Sequence, residues 1–149
     1  MLFRSVVAHA EGLIAILIPD LPDDNTAAHL AELRETFDAR GYLALSLRRR
    51  PDDVERLVQL DALARDAGMR SVATGDVLYH TPEARPLQDV MTAIREKTTI
   101  DALGFRRERF MDRNLRSPVE MERRFAAFPD AIQASADIAA RCRFDLGEI

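Results

Sequence analysis

The run Leu13-Ile14-Ala15-Ile16-Leu17-Ile18 is apolar without interruption, and Pro19 ends it. A half-solvated strand alternates apolar and polar residues, whereas a strand covered on both faces is apolar throughout. The run therefore predicts a strand that is buried on both sides, as in a parallel sheet. Two further runs have the same character, Tyr42-Leu43-Ala44-Leu45-Ser46-Leu47 and the shorter Ser71-Val72-Ala73-Thr74.

Helical patterns separate these runs. The first helix is predicted from apolar residues at i, i+3 and i+7, which are Leu30, Leu33 and Phe37. The second is predicted from another apolar stripe, made of Val54, Leu57, Ala64 and Ala67. Asp52 and Glu55 are spaced like a capping box at its start, and Gly68 is placed to end it.

The three predicted strands start at residues 13, 42 and 71, which is one strand every 29 residues. Steps of this size match strand–helix units, and each crossover helix returns the chain to the same end of the sheet, so the strands are predicted to be parallel. The fold class is α/β. Three strands leave two unpaired edges. Helices of the second half, strands of a partner, or a larger barrel or sheet could cover them.

The second half of the chain is predicted to be helical. An amphipathic stripe consists of Leu87, Val90, Met91 and Ile94. Ser117-Pro118-Val119-Glu120 has the pattern of a helix start. A last helix opens at Pro129, and its predicted apolar side consists of Ile132, Ala136, Ala139 and Cys142. Residues 104–116 show no period and are predicted to be a loop, which places a domain boundary near residue 103.

Composition excludes several classes of protein. The 149 residues carry a net charge of −4, which argues against nucleic-acid binding driven by total charge but leaves local basic patches open. A single cysteine, Cys142, excludes an internal disulfide and is typical of a reducing compartment. The longest apolar run is far shorter than the roughly 20 residues of a membrane helix. A cytoplasmic protein without a membrane partner is expected.

Candidate functional residues follow the strands, because the chemistry of parallel α/β folds lies at the carboxyl ends of the strands. Asp76 and His80 follow the third strand and are candidate metal ligands, although one carboxylate and one imidazole do not complete a site. The alternative is that Asp76 caps a turn. Arg48-Arg49-Arg50 follows the second strand and could bind phosphate, or could pair with neighbouring acidic residues.

A basic stretch lies in the predicted loop at residues 104–116. Arg106, Arg107 and Arg109 are interleaved with Phe105 and Phe110, and arginines beside aromatic residues can contact a nucleic-acid backbone and stack on bases. The alternative is an ordinary surface loop whose charges pair with one another. No nucleophile motif, glycine-rich phosphate loop or Cys/His cluster is present, so the residues predict an α/β piece without a complete active site.

The motifs resemble one polymerase family. Ala73-Thr74-Gly75-Asp76-Val77-Leu78-Tyr79-His80, Arg85-Pro86-Leu87-Gln88-Asp89-Val90 and Ser117-Pro118-Val119-Glu120-Met121 resemble, in this order, the bacterial C-family DNA polymerases, the family of the DNA polymerase III alpha subunit. The nearer match is to the error-prone, damage-tolerance paralog. Further blocks upstream and downstream extend the resemblance over nearly all of the chain, including Tyr42-Leu43-Ala44-Leu45-Ser46-Leu47 and Ile138-Ala139-Ala140-Arg141-Cys142.

The resemblance implies a particular region of such a polymerase. Residues 1–103 would be the C-terminal half of its polymerase-and-histidinol-phosphatase (PHP) domain, a β/α barrel, and residues 104–149 a basic loop and helical tail extending toward the palm. The chain would be a non-catalytic scaffold fragment, bound to the rest of the polymerase and through it to DNA. The parent would use Mg²⁺ on palm carboxylates for nucleotidyl transfer across damaged template. Half a barrel with open edges is also expected to self-associate.

The metal site that the family can carry departs from its pattern here. Asp76 matches the Asp of an Asp-x-His motif, but Leu78 occupies the His position, and Ala44 and Arg48 replace metal-binding residues at the second strand. The site is therefore expected to be vestigial, with Asp76 and His80 as its remaining candidate ligands for a divalent metal. A metal-dependent phosphoesterase is an alternative function, and a DNA-binding module that uses the arginines is another.

Overall fold

The fold is organised around a central strand, β2 (Gly41–Ser46), all of whose residues are buried. The computed structural model describes residues 6–107, 113–143 and 147. These form two compact units: residues up to Thr74 together with those from Met121 onward, called the sheet unit, and residues within Gly75–Glu120, called the small unit. The division predicted near residue 103 stays a prediction.

The sheet unit contains a parallel three-stranded sheet in the order β1-β2-β3, which confirms the predicted fold class. Ile16 of β1 is in register with Tyr42, and Leu45 with Ala73 of β3. The strands and the helices of this unit have the following bounds: β1 Ala15–Leu17, α1 Asp24–Phe37, α2 Asp53–Asp66, β3 Arg70–Thr74 and, in the helical tail, α5 Pro129–Arg141.

Helices cover both faces of this sheet. On one face, Leu43 and Leu45 of β2 belong to a core with buried residues of α1 and α2, namely Leu30, Leu33, Phe37, Leu57, Leu60 and Ala64. On the other face, Tyr42 and Val72 pack with Ala134 of α5. Burial on both sides explains why β2 is apolar along its length, since a solvated face would alternate with polar residues.

β1 is less buried than the sequence predicts. The run from Leu13 to Ile18 was predicted to be covered on both faces, but 39% of Ile16 and 56% of Ile18 are exposed, and Leu13 is exposed as well. Within the described residues, β1 pairs with β2 alone. The prediction is wrong for β1 in this chain because the strand lies at the edge of the sheet: Ala15 and Leu17 pack against the core, but no described element covers Ile16 and Ile18.

Local signals set the helix ends in different ways. The carboxylate of Asp23 accepts a hydrogen bond of 2.8 Å from the backbone N–H of Thr26 and so caps α1. At the end of α2, Gly68 has a positive φ of 66°. Met69 N–H donates to the carbonyl oxygen of Ala64 at 2.8 Å, and Gly68 N–H to that of Arg65 at 2.9 Å, which is a Schellman ending.

Two predicted details of the helices are wrong. The side chain of Asp52 makes no capping hydrogen bond, because Asp53 supplies the carboxylate that binds nearby backbone N–H groups. Val54 is exposed instead of belonging to the buried stripe of α2. At the start of α4 (Pro118–Arg124), by contrast, the predicted N-cap is present, since Ser117 Oγ accepts from the N–H of Glu120 at 3.3 Å.

The predicted apolar side of α5 is right for Ile132, which packs against the core, and wrong for its other three residues. Ala136, Ala139 and Cys142 are exposed, whereas the helix buries Ala131 and Ala134. The helix carries alanine around its whole circumference, so the sequence pattern does not select a face, and packing against β3 does. Cys142 lies just after the helix and is an exposed thiol, not a buried one.

The small unit contains α3 (Arg85–Arg95), two 3₁₀ turns (Pro82–Ala84 and Gly104–Arg106) and a parallel bridge between Tyr79 and Asn114. The amphipathic stripe predicted for α3 is exposed along its whole length, at Leu87, Val90, Met91 and Ile94. No helix within residues 6–107 and 113–143 has the length and apolar character needed to cross a membrane.

Candidate functional site

The carboxyl end of β2 is a network of paired charges. The Arg48 guanidinium forms an ion pair with the carboxylate of Asp20, and Nη2 of Arg50 lies 3.7 Å from the same carboxylate. Charge pairing is the alternative predicted for the arginine run, and the carboxylate that both guanidinium groups approach is that of Asp20.

Asp53 and Arg56 fix the loop behind these arginines. The carboxylate of Asp53 accepts backbone N–H groups of Arg48 at 2.8 Å and Arg50 at 3.1 Å. Nη2 of Arg56 donates to Asp53 Oδ1 at 3.0 Å and to the carbonyl oxygen of Ser46 at 2.5 Å. The Arg56 side chain is only 3% exposed. The sequence analysis missed this pair, for which the i, i+3 spacing of Asp53 and Arg56 was the available signal.

Asp76 has a partner of its own in the small unit. Its backbone has a positive φ of 45°, and Nη2 of Arg113 lies 2.7 Å from Asp76 Oδ1. Nε of Arg113 donates to the backbone carbonyl of Asp76 at 2.9 Å, so one guanidinium contacts both the carboxylate and the backbone of the residue. His80 is exposed. The carboxylate of Asp76 is therefore paired with the guanidinium of Arg113.

The described residues at the predicted metal site do not form a complete ligand set for a divalent cation. A guanidinium that is paired with Asp76 would repel the ion, and Leu78 has no ligand atom. Within residues 6–107, 113–143 and 147, no three His, Cys, Asp or Glu side chains are grouped as metal ligands. The assignments of Asp76 and His80 as ligands, and the phosphoesterase alternative, stay predictions. No step in the proposed function passes through a metal on this chain.

The arginine stretch is anchored to α3 by acidic residues. Nη1 of Arg106 lies 2.9 Å from Glu96 Oε2. Arg107 approaches Asp89 Oδ2 with two nitrogens, Nη2 at 2.7 Å and Nε at 2.9 Å. Arg109 lies outside the described residues, as does Phe110. The assignment of the three arginines to nucleic-acid binding therefore stays a prediction. The structure describes the side-chain contacts of Arg106 and Arg107.

Asp89 is the centre of this anchor. Its side chain is 3% exposed, and Nε of Arg85, itself nearly buried, lies 3.3 Å from Asp89 Oδ1. A buried carboxylate needs compensating charge and hydrogen bonds, and here two guanidinium groups supply them. The sequence analysis did not single out Asp89, although its i, i+4 spacing from Arg85 is typical of a helical ion pair.

A polar cavity of about 490 Å³ lies in the sheet unit at the amino end of β3. Asp61 of α2 lines it and accepts a hydrogen bond of 2.7 Å from Ser71 Oγ. Arg65 is paired with Asp61, and Arg70 lies 2.8 Å from Asp137 of α5. These polar groups satisfy one another, so the cavity presents a set of internal ion pairs.

Comparison with known proteins points to one class of enzyme. No protein-family model matches the chain. The chain is 52% identical over 144 residues to error-prone DNA polymerase 1 of Agrobacterium fabrum, 44% over 149 residues to the error-prone DNA polymerase of Allorhizobium ampelinum, and 39% over 148 residues to that of Caulobacter vibrioides. These alignments cover 97–100% of the chain but only 13–14% of each relative.

Proposed function

We propose that this chain, a homologue of one segment of the error-prone DNA polymerases, is a structural, non-catalytic part of a longer polymerase chain. The observation that carries the proposal is the match itself, which extends over nearly the whole chain and spans about one seventh of each relative. The longer chain would extend primers across damaged template by Mg²⁺-dependent nucleotidyl transfer, in the cytoplasm. The longer chain would bring this segment to DNA.

The edge of β1 is the proposed junction with the rest of the polymerase. β1 has the composition of a strand covered on both faces, yet Ile16 and Ile18 are exposed, and no described strand pairs with its outer side. A neighbouring strand of a longer β/α barrel would cover these side chains and satisfy the outward backbone groups. The mismatch between composition and burial therefore supports a sheet that continues through β1.

The small unit has an exposed apolar surface too, on α3. Leu87 and Ile94 are about two-thirds exposed, and Val90 and Met91 between them are exposed as well. A helix whose apolar stripe faces water carries a free-energy cost that a covering segment removes. We assign this stripe to contacts with parts of the polymerase outside the chain.

The paired charges support a role without catalysis. A catalytic carboxylate pair for two-metal chemistry needs acidic groups that can hold metal ions. Asp20, Asp53, Asp76 and Asp89, by contrast, each lie beside arginine guanidinium groups. Nucleotidyl transfer would therefore reside in another part of the polymerase.

A graft tests the proposal. In error-prone DNA polymerase 1 of Agrobacterium fabrum, the 144 matching residues are replaced by those of this chain, and primer extension is measured. We expect the graft to retain activity and the isolated chain to have none. Lysine at Ile16 and Ile18 should abolish activity of the graft, whereas lysine at Val54 and Val58, two exposed residues of α2, should not.

Three results would contradict the proposal. Primer extension by the isolated chain, with contaminating polymerase excluded, would make it catalytic. A graft that is folded by circular dichroism but inactive would show that the segment does not substitute for its homologue. Equal activity with and without the two lysines would show that the β1 edge is not the junction with the rest of the polymerase.

A further inference from the structure

Phe105 is a fully exposed aromatic side chain in the 3₁₀ turn Gly104–Arg106 of the small unit. Large apolar side chains are usually exposed only in part, and an uncovered ring at the tip of a turn has no packing role within the described residues. Another planar ring can stack on the exposed face of Phe105. Arg106 and Arg107 follow it, and their side chains are 57% and 50% exposed.

The guanidinium groups beside Phe105 are ion-paired but remain accessible to solvent. Asp89 is shared by Arg85 and Arg107. Arg107 contacts Asp89 with its Nε and Nη2 atoms, and half of its side chain is exposed to solvent. The pair of Arg106 with Glu96 is a surface pair, which contributes little and can exchange for another anion.

From this geometry we infer that Phe105, Arg106 and Arg107 form a contact site for single-stranded DNA. One unpaired base stacks on the Phe105 ring, and the two guanidinium groups contact the phosphates that flank it. Duplex DNA is excluded as the preferred ligand because its bases are already stacked on one another. A protein partner that covers the ring is the alternative outcome of the binding test.

The inference deepens the proposed function by naming unpaired template as the DNA that this segment contacts. Its test uses the isolated chain and needs no polymerase activity, so the two proposals fail separately. A graft that lacks primer extension leaves the DNA contact standing, and loss of the DNA contact leaves the scaffold role standing.

Fluorescence anisotropy with a labelled 15-residue oligo-dT measures the contact at low salt. Phe105→Ala should weaken binding about tenfold, whereas Phe105→Trp should retain it, because stacking needs only an aromatic face. Arg106→Gln should lower the magnitude of the slope of log affinity against log salt by about 0.7, the value for one phosphate contact on a single strand.

Matched controls separate this site from general effects. Arg34→Gln removes an exposed arginine that is paired with Asp38 in the sheet unit, and Val119→Ala removes an exposed apolar side chain from α4. Neither should change the affinity by more than twofold. Arg107→Lys keeps the positive charge beside Asp89 and should retain most of the binding, and circular dichroism melting checks that each variant is folded.

Several results would overturn the inference. These are no binding of oligo-dT by the unaltered chain at low salt, equal affinity of the unaltered chain and Phe105→Ala, and tighter binding of a duplex of the same length. If Phe105→Ala leaves DNA binding unchanged and abolishes self-association in light scattering, Phe105 is a protein-docking residue instead.

Discussion

The hydroxyl of Ser135 donates a hydrogen bond to the backbone carbonyl oxygen of Ala73 at 2.9 Å and so ties α5 to β3. These residues are 62 positions apart in the chain. Ser135 Oγ also lies 3.1 Å from the carbonyl oxygen of Ala131 in its own helix. The helical tail is therefore a layer of the sheet unit. The hydrogen bond holds it to β3, the strand at the opposite edge of the sheet from β1.

Ser135→Ala tests this connection. Loss of one partly buried hydrogen bond should lower the free energy of unfolding by about 1 kcal/mol. Urea denaturation would show a lower midpoint with an unchanged slope. The control is Thr36→Ala, which removes an exposed hydroxyl bonded only to Glu32 of its own helix. Equal midpoints for the two variants would mean that the Ser135 bond does not hold the tail.

Removal of Arg56 should destabilise the sheet unit strongly. Arg56→Met leaves the carboxylate of Asp53 and the carbonyl oxygen of Ser46 without their guanidinium partner, and breaking a buried ion pair costs about 3–5 kcal/mol. Arg34→Met removes an exposed arginine paired with Asp38 and should change the free energy of unfolding by less than about 1 kcal/mol. A similar small effect of both substitutions in urea denaturation would contradict this assignment.

The carboxyl group of Asp137 should make stability depend on pH in acid. Hydrogen bonds from Gln133 and Arg70, with the positive charge of Arg70, hold its pKa below the ordinary value. A pKa that is lower in the folded state contributes stability above the ordinary carboxyl pKa, near 4, and loses it as the pH falls through the folded-state pKa. Asp137→Asn should therefore flatten the acid side of a plot of melting temperature against pH.

Asp66 of α2, which is exposed and has no ion-pair or hydrogen-bond partner among the described residues, provides the comparison. Asp66→Asn should leave the acid side of the plot unchanged. Parallel curves for the unaltered chain and Asp137→Asn between pH 2.5 and 5 would show that Asp137 does not contribute.

The isolated chain should self-associate through the β1 edge. Lysine in place of Ile16 and Ile18 exchanges two exposed apolar side chains at this edge for charged ones. Natural sheets use charged side chains at edge strands to prevent edge-to-edge pairing. Light scattering at rising concentration should show a larger mass for the unaltered chain and a monomer for the variant. Lysine at Val54 and Val58, two exposed apolar residues of α2, should leave the association in place.

A monomeric unaltered chain at high concentration would contradict the prediction of self-association. Loss of association in the α2 variant alone would move the contact from the strand edge to the helix.

The parallel sheet could be predicted because its signal is local. β2 is buried on both faces and therefore consists of apolar residues with one small hydroxyl, Ser46, whose Oγ lies 2.6 Å from Thr74 Oγ1. The even spacing of the strands then indicated crossover helices. The burial of β1 could not be predicted in the same way, because composition reports the environment that a strand requires and not the elements present in this chain.

The partners of the charged residues could not be predicted, because they depend on three-dimensional placement. Arg113 reaches Asp76 across 37 positions, and Arg107 reaches Asp89 across 18. Asp53 and Arg56 are charged residues that a sequence pattern assigns to solvent, yet both are buried because each neutralises the other. The face of α5 was not predictable either, since its alanines lie on all sides.

Hydrogen exchange in the graft tests the central claim, that a longer polymerase chain completes the sheet at β1. Amide exchange of Ala15–Leu17 is compared between the isolated chain, diluted until light scattering shows a monomer, and the graft in the Agrobacterium fabrum polymerase. We predict that the amides of β1 that point away from β2 exchange at least about tenfold more slowly in the graft, because a neighbouring strand accepts their hydrogen bonds. Equal exchange of these amides in both proteins, with β2 protected in each, would contradict the claim.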